Sequence, residues 1–137
     1  MLAALPGLEP LARAAVLYPW PGLPFELFVS SQCPWDHLPI QLMLEQGDPL
    51  EVLDPLVGRW YREGYDGRFG TNEGGRFHFI SPPERRSETG AVYVLDLGRA
   101  RIEAIDALVD ALVSFHERLS LRRVILGRGH LPVDDAR

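Results

Sequence analysis

Apolar positions recur along this chain in three rhythms, and each rhythm predicts a different kind of element. Between Arg101 and Leu119, Ile102, Ile105, Leu108, Val109, Leu112, Val113 and His116 return at helical spacing. Glu103, Asp106, Asp110, Glu117 and Arg118 fall largely on the opposite side, as expected of an amphipathic helix. Flanking it are two short runs with almost no polar interruption, Ala91–Leu95 and Val124–Leu126, which read as strands buried on both faces. Strand, helix and strand together form a crossover unit, right-handed if the strands are parallel.

The third rhythm is alternation. Phe25–Ser30 is aromatic and branched enough for a strand. In Arg76–Ile80, Phe77 and Phe79 fall on one face and Arg76 and His78 on the other. The preceding Asn72-Glu73-Gly74-Gly75 accepts positive φ, which predicts a hairpin pairing Gly67–Gly70 with Arg76–Ile80.

Helices are expected in three further places. Leu8–Leu17 tolerates Pro10 in its opening turn, and Leu38–Gln46 would hold Pro39 in the same way, with Asp36 as its cap. Gly47-Asp48-Pro49 reads as stop, cap and first turn of a helix over Pro49–Glu63. Leu50, Leu53, Leu56, Val57 and Trp60 share one face of it, and Pro55 marks a kink or a division. Pro19, Pro21 and Pro24 stiffen an extended connection, and Ser81–Glu88 reads as an exposed loop. The sum is an α+β fold with an α/β-like C-terminal unit. About four or five strands in a mixed sheet would pack against about three or four helices as a single pair of layers. One domain spans residues 1–137, with 132–137 as a flexible tail.

Composition narrows the class. No apolar stretch approaches the roughly 20 residues that span a bilayer. Met1-Leu2-Ala3-Ala4-Leu5-Pro6 lacks a positively charged start, and Pro6, Glu9 and Pro10 break its apolar run, so it makes a poor signal peptide. The single cysteine, Cys33, has no internal disulfide partner, which fits a reducing compartment. A cytoplasmic protein without a membrane role is the expectation.

Charge adds more. All 14 basic side chains are arginine, a bias that a GC-rich genome accounts for. Net charge is −5, unevenly spread: from Arg13 to Arg59 there is no arginine, while Glu26, Asp36, Glu45, Asp48, Glu51 and Asp54 are all acidic. The segment Arg59, Trp60, Tyr61, Arg62, Tyr65, Arg68 interleaves aromatic and basic groups in a nucleic-acid-like pattern. The overall negative charge opposes that reading, since phosphate binding depends on positive charge. Trp60 is assigned to the core, with Arg59 and Arg62 pairing to Glu63 or Asp66.

Candidate chemistry gathers at two places. If the two C-terminal strands are parallel, Asp96, Arg99, Arg128 and His130 leave one sheet edge, where α/β sheets tend to bind ligands, and could hold a small anion. The ordinary reading is that Gly98 and Gly127 end strands and Asp96 caps a helix or meets an arginine. Gly127-x-Gly129 lacks the third glycine of a dinucleotide fingerprint. Cys33-Pro34-Trp35-Asp36-His37 brings thiol, carboxylate and imidazole together in sequence, as a nucleophile requires. The ordinary reading, a loop around a packed Trp35, is favoured, and the segment lacks the further ligands of a zinc site. His78 is placed on a polar strand face and His116 at the apolar edge of its helix. No catalytic residue, metal or cofactor is assigned. The leading expectation is an interaction module that presents the six acidic residues to a basic protein partner, in the manner of a bacterial immunity or antitoxin-like inhibitor. The alternatives are the anion-binding enzyme or sensor, and a homodimeric subunit joined through Trp20, Phe25 and Trp35.

Overall fold

The computed structural model describes residues 15–70 and 75–129. In chain order the elements are β1 (Leu17–Pro19), β2 (Glu26–Ser30), β3 (Leu38–Leu44), α1 (Pro49–Tyr65), β4 (Phe79–Ile80), β5 (Glu84–Arg85), β6 (Gly90–Asp96), α2 (Glu103–His116) and β7 (Leu121–Leu126). All seven strands form one mixed sheet in the order β1-β2-β7-β3-β6-β4, with β5 also paired to β6. β2, β7 and β6 run in one direction and β1, β3, β4 and β5 in the other. The expected four or five strands under three or four helices is therefore corrected. Seven strands carry two helices among the described residues, and the sheet dominates the fold.

The largest correction is Leu38–Leu44, a strand rather than a helix. Leu38, Ile40, Leu42 and Leu44 are at most 2% exposed, while Pro39, Gln41 and Met43 between them are half-buried, so the period is two. Proline is rare inside sheets because it donates no ladder hydrogen bond. Here Pro39 stands opposite the very end of β7, where its carbonyl accepts from Gly127 N–H (2.9 Å) and the ladder stops. Asp36 consequently caps no helix. Leu17, assigned to an N-terminal helix, begins a strand instead, and the rest of that helix, up to Ala14, lies outside the described residues.

The hairpin is also corrected. Gly67–Gly70 forms turns after α1, and Phe79–Ile80 pairs with Asp96 and Leu95 of β6. Phe77 is 1% exposed and Phe79 55%, because regular strand geometry begins only at Phe79. Phe77 packs edge-on against Trp60, with ring centroids 4.9 Å apart. A Cβ on Gly64 would stand 2.2 Å from the Phe77 ring, so only glycine admits this contact.

The helix over Pro49–Glu63 is present and runs two residues further, undivided by Pro55. Asp48 caps it, accepting from Leu50 N–H (3.0 Å), and this bond holds the carboxyl below the ordinary aspartate range. Leu53, Val57 and Trp60 are buried; from α2 come Ala104, Leu108, Leu112 and Phe115. These side chains meet the inner face of the sheet, made of Leu27, Leu38, Ile40, Leu42, Tyr93, Leu95, Val124 and Leu126, in one core cluster. Trp60 Nε1–H donates to Ala104 O (2.8 Å) and fastens the helices together. The two strands of the C-terminal strand–helix–strand unit run parallel, but β3 lies between them. Among the described residues, no helix is long and apolar enough to cross a membrane.

Candidate functional site

Side-by-side helices lie about 8–10 Å apart and paired strands about 4.8 Å apart, so two helices cover roughly four strands. In this protein α1 packs over β3 and β6, and α2 over β7. The β1–β2 margin is left beyond the outer flank of α2. Its inward-facing side shows the shortfall: Val29 is half-buried, and Tyr18, paired with it across the strands, is 56% exposed.

A recess of about 670 Å³ occupies this margin. Leu27, Val29 and Leu126 form its sheet side, and Ile105, Asp106, Val109 and Asp110 its α2 side. Trp20, Trp35 and Cys33 line it as well, together with Ser30 and Ile102. The place follows from topology. Ser30 ends β2, Leu126 ends β7 and Ile102 lies in the connection leaving β6, so the recess opens at the carboxyl ends of the three like-directed strands. Ligands of open α/β sheets favour that edge.

Each wall has a cause. Trp35 is anchored because its Nε1–H donates to Ala100 O (2.8 Å) while its own carbonyl accepts from Leu97 N–H (2.9 Å). Trp20, 59% exposed, is held at the strand end by its N–H to Leu27 O (2.8 Å). Gly127 makes the floor possible: at φ +101° an added Cβ would lie 2.6 Å from Ser30 Cβ and 2.7 Å from Cys33 Sγ. The Cys33 thiol contacts Ser30 O (3.2 Å) and Leu126 O (3.6 Å), and burial of the sulfur pushes its pKa up. A thiol so held is a poor nucleophile. His37 and Asp36 stand on the neighbouring turn, closed by His37 N–H to Pro34 O (3.2 Å).

Electrostatically the recess has one sign. Asp106 and Asp110 sit one helical turn apart, no basic residue lines the cavity, and neither carboxylate has an ion-pair partner among the described residues. Two other recesses carry both signs. The groove between the helices mixes Glu51, Glu63 and Asp110 with Arg59, Arg68 and Arg118, and the one near His116 mixes Glu26 and Glu45 with Arg122 and Arg123.

The residues singled out from sequence are dispersed differently. Glu26 receives Arg123 Nε–H (2.8 Å) on the sheet face away from the helices. Asp48 is held by its cap bond and by Arg85 (3.0 Å), Asp54 accepts from Tyr93 O–H (2.8 Å), and Glu51 lies between them on the first turns of α1. Asp36 precedes β3 and Glu45 follows it, so about 20 Å of strand separates them. Glu26 thus stands on the outer sheet face, while Asp48, Glu51 and Asp54 gather at the start of α1.

Asp96, Arg99 and Arg128 do leave the same sheet edge, with Asp96 and Arg128 tied to different neighbours. Asp96 turns to Gly98 N–H (2.9 Å) and to His78 Nδ1 (3.6 Å), on the β4 side. Arg128 N–H donates to Gln32 O (2.9 Å) on the β2 side. The Cys33–Trp35 segment runs between them, and His130 lies outside the described residues. Arg68, not Arg59 or Arg62, meets Glu63 (2.6 Å). His116 ties the end of α2 to β7, its Nδ1 accepting from Leu121 N–H (2.9 Å). Phe25 is buried at 7% exposure, so it offers nothing to a dimer surface.

Sequence reasoning passed over Asp106 and Asp110 as the solvent side of a helix. The available signal was Ile102, 63% exposed, which continues the apolar stripe of Ile105 and Val109 past the start of α2 and beyond the core. No family model, curated protein or solved structure matches this chain at a significant level. Among the described residues there is also no group of three or more His, Cys, Asp or Glu suited to a metal ion.

Proposed function

We propose that this protein is a binding module that captures a basic protein partner at the β1–β2 margin, acting in the cytoplasm. One observation carries the reading: the recess combines apolar walls, two tryptophans and two carboxylates, and among the described residues no basic side chain lines it or pairs with either carboxylate. Buried aromatic anchors supply most of the energy at protein interfaces, and complementary charge speeds encounter and selects the partner. The acidic net charge of −5 favours the same class of partner over long range. Inhibition of a basic enzyme, in the manner of immunity or antitoxin proteins, is the form of this function that a small acidic chain suits. The anion-ligand reading is less well supported, because the Asp96 carboxylate is already engaged by Gly98 N–H and His78.

Selection from a random peptide display library on the immobilised protein tests the proposal. Enrichment of arginine- or lysine-containing sequences is expected, with retention falling as salt rises. The D106N/D110N protein should not enrich them. Enrichment of neutral or acidic sequences, or equal enrichment by the double variant, overturns the reading.

A further inference from the structure

We infer that the recess takes an arginine side chain of the partner as its anchor, in preference to lysine. This rests on the basic-partner reading above and adds the chemistry of the anchor. The cavity is within the range of about 300–1,000 Å³ that ligand pockets occupy, large enough for a long side chain together with part of its backbone. Leu27, Val29, Leu126, Ile105 and Val109 offer hydrocarbon surface that suits a methylene stem. The head of that stem must then satisfy two kinds of neighbour at once.

The first kind is aromatic. Trp20 and Trp35 both line the recess, and a planar guanidinium stacks on an indole face, which is the strongest of the aromatic partners for a cation. The second kind is anionic. Asp106 and Asp110 are four residues apart on α2, which places their Cβ atoms about 5–6 Å from one another. A guanidinium presents five N–H donors along three edges and can serve two carboxylates together. An ammonium is a compact, strongly hydrated point charge that gives up more hydration on entering an apolar cavity. Like charges at this spacing repel, so a single cation between them removes a repulsion that the free protein carries.

Three capped tripeptides distinguish the possibilities: leucyl-arginyl-leucine, leucyl-lysyl-leucine, and the neutral leucyl-citrullyl-leucine, which keeps the shape of arginine without its charge. Each is titrated into isotope-labelled protein while the three tryptophan indole N–H resonances are followed. The arginine peptide is expected to shift the Trp20 and Trp35 signals and leave buried Trp60 unmoved, with a Kd about tenfold below that of the lysine peptide. D106N and D110N should each weaken it several-fold while the unchanged Trp60 signal reports an intact core. Equal binding of the arginine and lysine peptides overturns the arginine anchor and leaves the basic-partner reading standing. Citrulline binding as well as arginine overturns both. Binding of none of the three overturns the anchor, while the peptide selection still decides the function.

Discussion

The sheet has a finished half and an unfinished one. Under the helices, Leu38, Ile40, Leu42, Tyr93, Leu95, Val124 and Leu126 lie at 0–4% exposure and share one core with α1 and α2. At the β1–β2 margin the sheet meets no third helix among the described residues, and Val16, Tyr18 and Trp20 are each more than half exposed. Surface that packing has already satisfied holds the protein together. Surface left over is free to gain energy from something else, and Asp106 and Asp110, without ion-pair partners among the described residues, stand beside it.

Substitutions should separate the halves sharply. Trp60→Ala removes a 3% exposed ring and the bond to Ala104 O, and should cost about 3–5 kcal/mol in a urea titration. Trp20→Ala at the margin should stay within about 0.5 kcal/mol of the parent while impairing capture of basic peptides. A comparable loss at both positions would erase the distinction.

The boundary between the halves is tested at Gly127. Alanine there must adopt φ +101° and push into Ser30 and Cys33, so a loss of at least about 1–3 kcal/mol is expected, together with loss of the recess. A third test uses alkali. Burial pushes the Tyr93 phenol far above the ordinary tyrosine range, aided by its hydrogen bond to Asp54 and that group's charge. The folded protein then holds a proton that the unfolded chain releases near about pH 10. Stability should be unaffected below that pH and decline as pH rises above it. In Tyr93→Phe this contribution to the alkaline decline should vanish, which denaturant midpoints at neutral and alkaline pH would show. The smallest effect belongs to the margin. Asp110→Asn relieves the repulsion from Asp106 and should raise stability by roughly 0.2–0.5 kcal/mol while weakening peptide capture. Stability and binding moving in opposite directions at one residue would mark a site held ready at some cost to the fold.

Much of the finished half was legible in the sequence, because long apolar rhythms report burial directly. The α1 and α2 helices, β2, β6 and the last three residues of β7 lie where the pattern placed them. Leu38–Leu44 was misread because Pro39 suggested a helix start, and only the position of β7 shows why a proline is tolerated there. β4 and β5 are two-residue strands whose pairing depends on β6, not on a local turn, so no nearby signal specifies them. The site was less legible still. Trp20, Trp35, Asp106 and Asp110 come from three separate segments, and what unites them is an area that the two described helices leave uncovered. Such a deficit is a property of the assembled layers and leaves no mark on any one stretch of chain.

The pairing of β2 with β7 also dictates when the recess can first form. Arg123 meets Glu26 across 97 positions of chain, and contacts this distant in sequence pay their loop-closure entropy before they return any stability. Both sides of the recess depend on that late pairing, since Leu126 belongs to β7 and Leu27, Val29 and Ser30 to β2. During synthesis the nascent chain therefore has no recess until the ribosome has released residue 126, and early fragments lack the site.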